Sequence, residues 1–461
     1  MKRPVRIANC SGFFGDRLSA ATEMVEGGPI DVLTGDWLAE LTMLILARQR
    51  MKHGAGSGYA RTFITQMEQN LATCLDRGIK VVSNAGGLDP QGCADALREF
   101  ADSNGLNVKI GVVSGDDLIP RLDQLRDAGE QFTNLDTGQR LEVAGVQLLT
   151  ANAYLGGQPI TKALAAGADV VIAGRVTDAA LTIGPAAWWH AWDYGTDFDA
   201  IAGAIVAGHA IECGTQVTGG NYSFFTDIPR MAHPGFPIAE VAADGSSVIT
   251  KHANTDGLVS VGTVTAQLLY EIGSPRYANP DATACFNTIE LSQEAPDRVR
   301  ISGCVGEGPP DTLKVAATHL GGMRNSMSLV LTGLQRAEKA DLILNTLAGI
   351  GLADIAQPDL AKLSTLDVDE LAVYFDDTAI VDPASTAQAQ SHLRLVVKDA
   401  DPKRIAKAFT APVVEAALAS YPGMFPTAVP GSPAPVGVYW PTTVERRHVV
   451  PEVSIDGQEL P

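Results

Sequence analysis

The sequence predicts an α/β protein with a parallel sheet and flanking helices (Rossmann-like) in its N-terminal half, followed by an α+β C-terminal domain. Short apolar runs recur before residue 180, and a polar loop containing glycine follows each of them. A helix-like stretch follows most of these loops, and this alternation is typical of a parallel sheet. Loops of this kind gather at the carboxyl ends of parallel strands, where small polar ligands bind. The apolar runs are Val5–Ala8, Asp31–Leu33, Ile79–Val82, Ile110–Val113 and Val170–Ala173.

The helices predicted between these strands have amphipathic spacing or a favourable first residue. In the first helix, Leu38, Leu41, Leu44 and Ile45 recur at helical spacing. Pro90 stands at the first position of another helix, where its missing N–H costs nothing. The predicted helices are Asp36–Arg50, Arg61–Arg77, Pro90–Asn104, Lys162–Ala166 and Asp199–Glu212.

A proline-rich stretch at residues 226–237 interrupts the alternation. We predict a boundary there, between an α/β domain at residues 1–230, with ligand-binding loops at its strand ends, and an α+β domain at residues 231–461. The tail from Pro422 to Pro441 is expected to wrap the surface. The elements predicted for the second domain are strands at Ala239–Ala242, Ser247–Ile249, Cys285–Leu291, Val299–Cys304, Thr312–Thr318, Ser326–Leu331, Leu371–Phe375 and His392–Val397, and helices at Gln335–Leu347 and Pro402–Ala419.

The composition limits the kinds of partner. The net charge of −19 and the pI of about 4.8 disfavour nucleic acid and anionic membranes, because both require a basic protein surface. The six cysteines form no CxxC pair and have no zinc-site spacing. The sequence contains no signal-peptide core and no apolar run long enough to cross a bilayer. We therefore expect a reduced, soluble, cytoplasmic protein that acts on a small molecule and forms a homo-oligomer.

The loop that follows Val170–Ala173 is the strongest candidate site. Arg175 offers a planar fork that suits a carboxylate or a phosphate. Thr177 and Asp178 can line the same pocket, or they can cap the next helix. The alternative is a purely structural pair between Arg175 and Asp178.

Other glycine-bearing loops supply candidate substrate contacts. Their backbone N–H groups can cradle an anion, and their asparagines suit an amide, a hydroxyl or a carbonyl. The first loop is not a GxGxxG fingerprint, so a nicotinamide site is not expected. Tight turns that need glycine are the alternative. The candidate contacts in these loops are Ser11, Gly12, Asn84, Gly86, Gly87, Asn152 and Asn221.

Two pairs of residues have spacing that suits proton transfer. Asp36 and Glu40 stand four apart at a predicted helix start, where they can be an acid/base couple or simply favour the helix dipole. His209 and Glu212 stand three apart on one helix face. They can form a general base with its orienting partner, ligate a metal, or be an ordinary surface pair. We predict Asp178, Asp36 and His209 as catalytic residues and no metal ligand.

Several of these loop segments occur together in a specific combination. Residues 11–16, 34–40, 83–87 and 174–178, with residues 212–221, resemble the acyclic terpene utilisation protein A family. The resemblance covers nearly the whole chain, about residues 4–445. It implies a bacterial catabolic setting, the breakdown of acyclic terpenes such as citronellol and geraniol or of related branched acids through CoA thioesters. Some family members carry an additional C-terminal ferredoxin-like domain, which we expect to be absent here or supplied by a small partner chain.

The leading hypothesis is a lyase or hydratase that acts on a branched acyl-CoA or carboxylic acid. Arg175 would hold a carboxylate or thioester oxygen, and Asp178 or Asp36 would move a proton. Asn84 and Asn152 would orient the substrate. No organic cofactor is implied, and a CoA thioester enters only as part of the substrate.

Two other functions remain open from the sequence. The chain can be a non-catalytic subunit that binds a substrate and hands it to a partner enzyme. It can also be a metal-dependent hydrolase that uses Asp116, Asp117 and His209.

Overall fold

A computed structural model of the chain describes residues 2–54, 56–352, 366, 368–376, 382, 384–385, 387–419 and 422–461. The chain divides into two compact units, one formed by Met1–His319 with Tyr439–Pro461 and the other by Leu320–Val438. The fold is a mixed α/β fold whose sheets include parallel strands.

The strands and helices follow one another in chain order. Up to the end of β13 they are β1 (Val5–Asn9), α1 (Ala20–Glu26), β2 (Val32–Gly35), α2 (Glu40–His53), α3 (Arg61–Arg77), β3 (Lys80–Ser83), α4 (Pro90–Ser103), β4 (Ile110–Ser114), α5 (Leu122–Asp127), α6 (Leu141–Ala144), β5 (Leu148–Ala153), α7 (Gln158–Ala165), β6 (Val170–Ala173), α8 (Ala180–His190), α9 (Phe198–Ile211), β7 (Pro237–Val241), β8 (Ser247–Lys251), α10 (Val261–Leu268), β9 (Arg276–Ala278), β10 (Thr283–Cys285), β11 (Glu290–Ala295), β12 (Arg298–Ser302) and β13 (Val305–Glu307). They continue with β14 (Thr312–Thr332), α11 (Arg336–Ala348), β15 (Glu370–Asp376), β16 (Gln390–Asp399), α12 (Lys407–Ala419), β17 (Met424–Pro426), β18 (Ala434–Glu445), β19 (Glu452–Ile455) and β20 (Gln458–Glu459).

The first unit is built on a large mixed sheet. Its parallel strands lie side by side in the order β1-β2-β3-β6-β4. Antiparallel strands extend both edges, with β7 on β1 and β19 on β4. The prediction of an α/β fold with parallel strands is confirmed. The Rossmann-like arrangement is not confirmed. The parallel strands lie in the order β1-β2-β3-β6-β4, whereas classical dinucleotide-binding folds order their strands 3-2-1-4-5-6.

Apolar residues of the parallel strands alternate between two separate cores. Ile7 packs into one core, whereas its neighbour Ala8 packs into the other. Val171 and Ile172 divide in the same way. Since successive side chains of a strand point to opposite faces, a sheet covered on both sides needs strands that are apolar throughout. This is why the sequence shows uninterrupted apolar runs here.

The helices begin and end where the sequence supplies suitable residues. Pro90 starts α4, and the side chain of Asp89 caps it by accepting a hydrogen bond from the N–H of Gly92 at 3.0 Å. Helix α3 ends at Gly78, whose φ of 66° lies in the left-handed region. The first predicted helix begins later than expected, at Glu40, and Asp36 therefore lies in the preceding loop.

The predicted boundary between residues 230 and 231 lies inside the first compact unit. After the proline-rich stretch, β7 returns to the large sheet and pairs antiparallel with β1, and β8 pairs with β7. The prolines therefore precede strands that extend the same sheet. The change from alternating elements to strands, which suggested a new domain, marks the antiparallel edge of that sheet.

The second unit has an antiparallel sheet with helices packed against it. The order of its strands is β15-β16-β14-β17, and β14 and β16 pair from Met323 with Asp399 to Thr332 with Gln390. Leu393 and Leu395 of β16 share a core with residues of α11 and α12. The two strands predicted at 312–318 and 326–331 are one continuous strand, β14.

The tail from Pro422 to Pro441, expected to wrap the surface, contains β17 and the first part of β18 instead. Both strands pair with β14. Within the residues that the structure describes, none of the helices has the length and apolar character needed to cross a membrane.

Candidate functional site

A cavity of about 580 Å³ lies in the first unit, where loops that follow three parallel strands meet. Gly12 follows β1, Asp36 follows β2, and Arg175 and Asp178 follow β6. The cavity is therefore at the carboxyl edge of the parallel strands. Its volume falls within the range of small-molecule sites, roughly 300–1,000 Å³. Other lining residues that matter below are Glu40, Tyr154, Thr177, Glu212, Asn279 and Lys314.

Arg175 is a buried cation in the wall of this cavity, with only 3% of its surface exposed. Its Nη1 donates to the carbonyl oxygen of Leu38 at 2.8 Å, and its Nη2 lies 3.1 Å from Asp178 Oδ1. The guanidinium stacks on the ring of Tyr154, 4.1 Å from the ring centroid. The Nε atom has no hydrogen-bond partner among the described residues. A fixed cation with a spare donor is suited to holding an anionic or carbonyl oxygen.

The backbone of Arg175 is also fixed in place. Its N–H donates to Asp116 Oδ2 at 2.9 Å, and Asn152 Nδ2 donates to the same oxygen at 2.8 Å. Burial raises the pKa of Asp116 to about 6, although these hydrogen bonds lower it. Asn152 is thus engaged with Asp116 and is not part of the cavity lining. Both residues act in positioning the Arg175 loop.

Asp36 is a buried carboxyl group in the same cavity. Its Oδ1 accepts hydrogen bonds from Asn84 Nδ2 at 2.6 Å and from the N–H of Leu38 at 3.0 Å. Burial and the nearby charge of Asp178 raise the pKa of Asp36 well above its usual range, and Arg175 and the two hydrogen bonds oppose this only in part. Such a carboxyl group retains its proton to a higher pH than an ordinary aspartic acid, which suits a general acid.

Glu40 has the opposite electrostatic character. Its Oε1 accepts a hydrogen bond from the hydroxyl of Tyr154 at 2.7 Å and lies 3.4 Å from Lys314 Nζ. Burial raises the pKa of Glu40, but the Tyr154 hydrogen bond and the charges of Arg175 and Lys314 outweigh it and lower the pKa to about 2. The cavity therefore holds one carboxyl group that favours its proton and one that stays ionised.

His209 and Glu212 form the pair that their spacing predicts. His209 Nδ1 lies 2.8 Å from Glu212 Oε1. Burial lowers the pKa of His209, but Glu212 outweighs it and the pKa is raised. Burial raises the pKa of Glu212 against the effect of His209. Glu212 lines the cavity, whereas His209 packs next to the rings of Tyr277 and Phe286. Of the two, Glu212 is the residue placed to contact a ligand.

Gly12 lies where two loops of the site approach each other closely. A Cβ atom at this position would lie 2.5 Å from the carbonyl carbon of Cys213 and 2.8 Å from the nitrogen of Gly214. Both are backbone atoms, so the clash could be relieved only by moving the loop that carries Glu212. Glycine is therefore required here by close approach.

Replacing Gly12 by alanine should destabilise the protein by about 1–3 kcal/mol, because overpacking forces a backbone shift. Urea denaturation measures the change. Gly273→Ala is the matched control, since a Cβ atom there would have no atom within 4 Å. Equal stability of the two variants would contradict the close approach.

Other predicted contacts lie outside the cavity lining. Asn84 accepts a hydrogen bond from the Trp37 N–H at 2.8 Å and donates to Asp36, so it supports the acid. Ser11 Oγ donates to the carbonyl oxygen of Phe13 at 3.0 Å. Asn221 Nδ2 lies 3.4 Å from Gln267 Oε1. Direct contact of these residues with a substrate remains a prediction.

Gly86 and Gly87 are also outside the lining and serve the backbone. A Cβ atom on Gly86 would lie 2.6 Å from the carbonyl oxygen of Ala173, and Gly87 has a φ of +54°. The loop after β3 therefore uses glycine for its packing against β6 and for its turn.

The residues of the metal-dependent alternative are not gathered at one point. Asp117 Oδ1 accepts a hydrogen bond from the Ile119 N–H at 3.0 Å and lines a different cavity. Asp116 is engaged with Arg175 and Asn152, and His209 is paired with Glu212. Across the described part of the chain, no group of three or more His, Cys, Asp or Glu residues is placed to hold a metal ion.

The cavity residues that were not predicted from the sequence include Tyr277, Asn279 and Lys314. Tyr277 and Asn279 come from β9 and the turn after it, and Lys314 comes from the start of β14. None of them follows a parallel strand, which was the signal used to select candidates. The Asn279-Pro280 pair is a turn signal, but it does not indicate that the turn faces a cavity.

Comparison with known proteins agrees with the resemblance found in the sequence. Neither the curated proteins nor the solved structures compared with the chain give a match. The family model described as acyclic terpene utilisation family protein AtuA matches residues 5–455. Since this match covers nearly the whole chain, the protein belongs to the acyclic terpene utilisation AtuA family.

Proposed function

We propose that the protein is an acid–base enzyme of acyclic terpene utilisation that carries out a lyase or hydratase step on a branched carboxylic acid or its CoA thioester. The observation that carries the proposal is Arg175, a buried cation in the cavity wall with Asp36 and Asp178 as its charged neighbours. Membership of the AtuA family supports the metabolic setting. Arg175 suits the carboxylate or thioester oxygen of such a substrate.

The proposed step needs one base, one acid and one oxyanion partner. Asp178 removes a proton from the carbon next to the acyl carbonyl group, and Arg175 stabilises the negative charge that develops on the carbonyl oxygen. A carbon–carbon double bond then forms as the bond to the leaving group on the next carbon breaks. Asp36 gives its proton to that leaving group. The reverse sequence adds the group across the double bond.

The different environments of the carboxyl groups support these roles. Asp36 is buried with a raised pKa, as a general acid requires. The side chain of Asp178 also lines the cavity, is 32% exposed, and lies 3.1 Å from Arg175 Nη2. Asn84 holds Asp36, and Asp116 holds the backbone of Arg175, so the reacting groups are pre-oriented.

Exchange of hydrogen in D₂O tests the first step without knowledge of the leaving group. Wild-type protein should exchange the α-hydrogens of 3-methylbutanoyl-CoA or of free 3-methylbutanoate for deuterium, measured by mass spectrometry. Asp178→Asn should lower the exchange rate by about 10²–10⁴-fold, because the amide is not a base. Comparing the thioester with the free acid identifies the form of the substrate.

An exposed aspartate gives the matched control. Asp123, whose side chain is 95% exposed, can be changed to asparagine without touching the cavity. Tight binding of either compound without exchange in the wild-type protein would contradict the enzymatic proposal and favour a substrate-binding subunit. Full exchange in Asp178→Asn would assign the base to another residue, with Glu212 as the next carboxyl group of the cavity.

A further inference from the structure

Some polar atoms in the cavity wall are buried without a hydrogen-bond partner among the described residues. They include Nε of Arg175, Oγ1 of Thr177, and both amide atoms of Asn279. Asn279 is only 2% exposed. Because buried polar groups nearly always have a partner, a set of unpartnered atoms facing one cavity indicates the polar groups of a ligand.

Tyr277 is a polar neighbour of Asn279 but does not satisfy it. Burial raises the pKa of the Tyr277 phenol, and Asn279 opposes this increase. No atom of Asn279 is within hydrogen-bond geometry of the phenol, however. Because Asn279 lowers the pKa of the phenol as a nearby donor does, the acceptor Oδ1 is the amide atom left entirely for a ligand.

The unpartnered atoms specify what the ligand must offer. Arg175 Nε can only donate, so it requires an acceptor such as a carboxylate or carbonyl oxygen. Asn279 offers both a donor and an acceptor, and so does the hydroxyl of Thr177. A carboxylate or a ketone only accepts and would leave Asn279 Oδ1 unpaired. A hydroxyl group both donates and accepts, and it satisfies this part of the wall.

We propose that Asn279 and Thr177 bind a hydroxyl group of the substrate while Arg175 holds its carboxylate or thioester carbonyl oxygen. The substrate class is then a branched hydroxy acid or the corresponding hydroxyacyl thioester. This inference rests on the proposed function and identifies the leaving group of that reaction. The carbon–oxygen bond breaks, Asp36 supplies the proton, and the hydroxyl departs as water.

Two ligands that cannot react separate recognition from turnover. The probes are 3-hydroxy-2,2-dimethylbutanoate and 2,2-dimethylbutanoate, each also as its CoA thioester. Neither has a hydrogen on the α-carbon, so neither can undergo elimination. Calorimetric titration of wild-type protein should give about 10- to 100-fold tighter binding of the hydroxylated probe, because the other probe leaves buried groups unpaired.

Asn279→Leu removes both hydrogen-bonding atoms at similar volume. This variant should lose most of the preference for the hydroxylated probe while still binding the other probe through Arg175. Thr177→Val should reduce the preference in part. Asn287→Leu is the matched control, since Asn287 is exposed and is not part of this cavity lining. It should keep the wild-type preference.

The outcomes distinguish this inference from the proposed function. Equal binding of the two probes by wild-type protein would overturn hydroxyl recognition, while α-hydrogen exchange would still support the enzyme. A preference that survives in Asn279→Leu would also overturn it. Failure of every probe to bind would contradict both, because both require Arg175 to hold an acyl oxygen.

Discussion

Replacing Arg175 by alanine should weaken the binding of a branched acid or its thioester by about 30-fold or more, the lower end of a loss of about 2–5 kcal/mol. The guanidinium is buried and stacks on Tyr154, so the position of its N–H donors is fixed. Calorimetric titration with 3-methylbutanoyl-CoA measures the change. Arg175→Lys should restore little of the affinity, because a lysine lacks the planar fork.

Loss of the fold must be distinguished from loss of binding. Removing Arg175 leaves Asp178 and Asp36 without their cation, which lowers the stability of the folded state. The melting temperature of each variant without ligand therefore has to be measured. Arg298→Ala is the control, since Arg298 pairs with Glu240 at 2.7 Å outside the cavity lining. A folded Arg175→Ala protein with unchanged affinity would remove Arg175 from the site.

Replacing Asp36 by asparagine should lower turnover by about 10²–10⁴-fold while leaving the affinity for substrate nearly unchanged. An asparagine at this position can still accept hydrogen bonds from Asn84 and the Leu38 N–H. It cannot supply the proton that the leaving group takes. Steady-state rates of both proteins over a pH series measure the effect. The wild-type rate should decrease at high pH as Asp36 loses its proton, and an Asp36→Asn enzyme with full activity would exclude this residue as the acid.

The same variant makes a separate prediction about stability. Because the pKa of Asp36 is raised in the folded protein, the folded state binds this proton more tightly than the unfolded chain does. The stabilisation is complete below the unfolded pKa of about 3.9 and is lost as the pH rises through the folded pKa. Asp36→Asn has no such proton, so its free energy of unfolding should increase relative to wild type between a pH near the unfolded pKa of about 3.9 and a pH above the folded pKa. Urea denaturation at the two pH values measures it.

The loops that follow apolar strands could be predicted because their signal is local. An apolar run followed by Gly35-Asp36 or Gly174-Arg175 predicts a strand end and a polar turn from neighbouring residues alone. The structure brings Gly12, Asp36, Arg175 and Asp178 to one cavity for this reason. The sequence could not predict which side chains of a loop face the ligand, and Asn84 instead holds Asp36.

The rest of the site depends on how distant segments are arranged. Lys314 reaches the cavity from β14, which pairs with the distant strand β5. Asn279 follows β9, whose pairing with β10 is local and does not indicate that the turn after it faces a cavity. The extent of the large sheet beyond residue 230 also depends on pairing between distant segments. The pairing of β7 with β1 extends the first sheet beyond the prolines, and no feature near residue 230 records that pairing.

The pairing of β19 with β4 has a consequence for synthesis of the protein. Strand β4 emerges from the ribosome early, but the strand that covers its open side comes from residues 452–455. Until residues 452–455 have been synthesised, one side of β4 presents unpaired N–H and C=O groups, which can pair with strands of other chains. Contacts so distant in sequence also form slowly. During most of its synthesis, the chain therefore has an unpaired edge strand in its large sheet. Chaperones that shield exposed strands would be most useful during that interval.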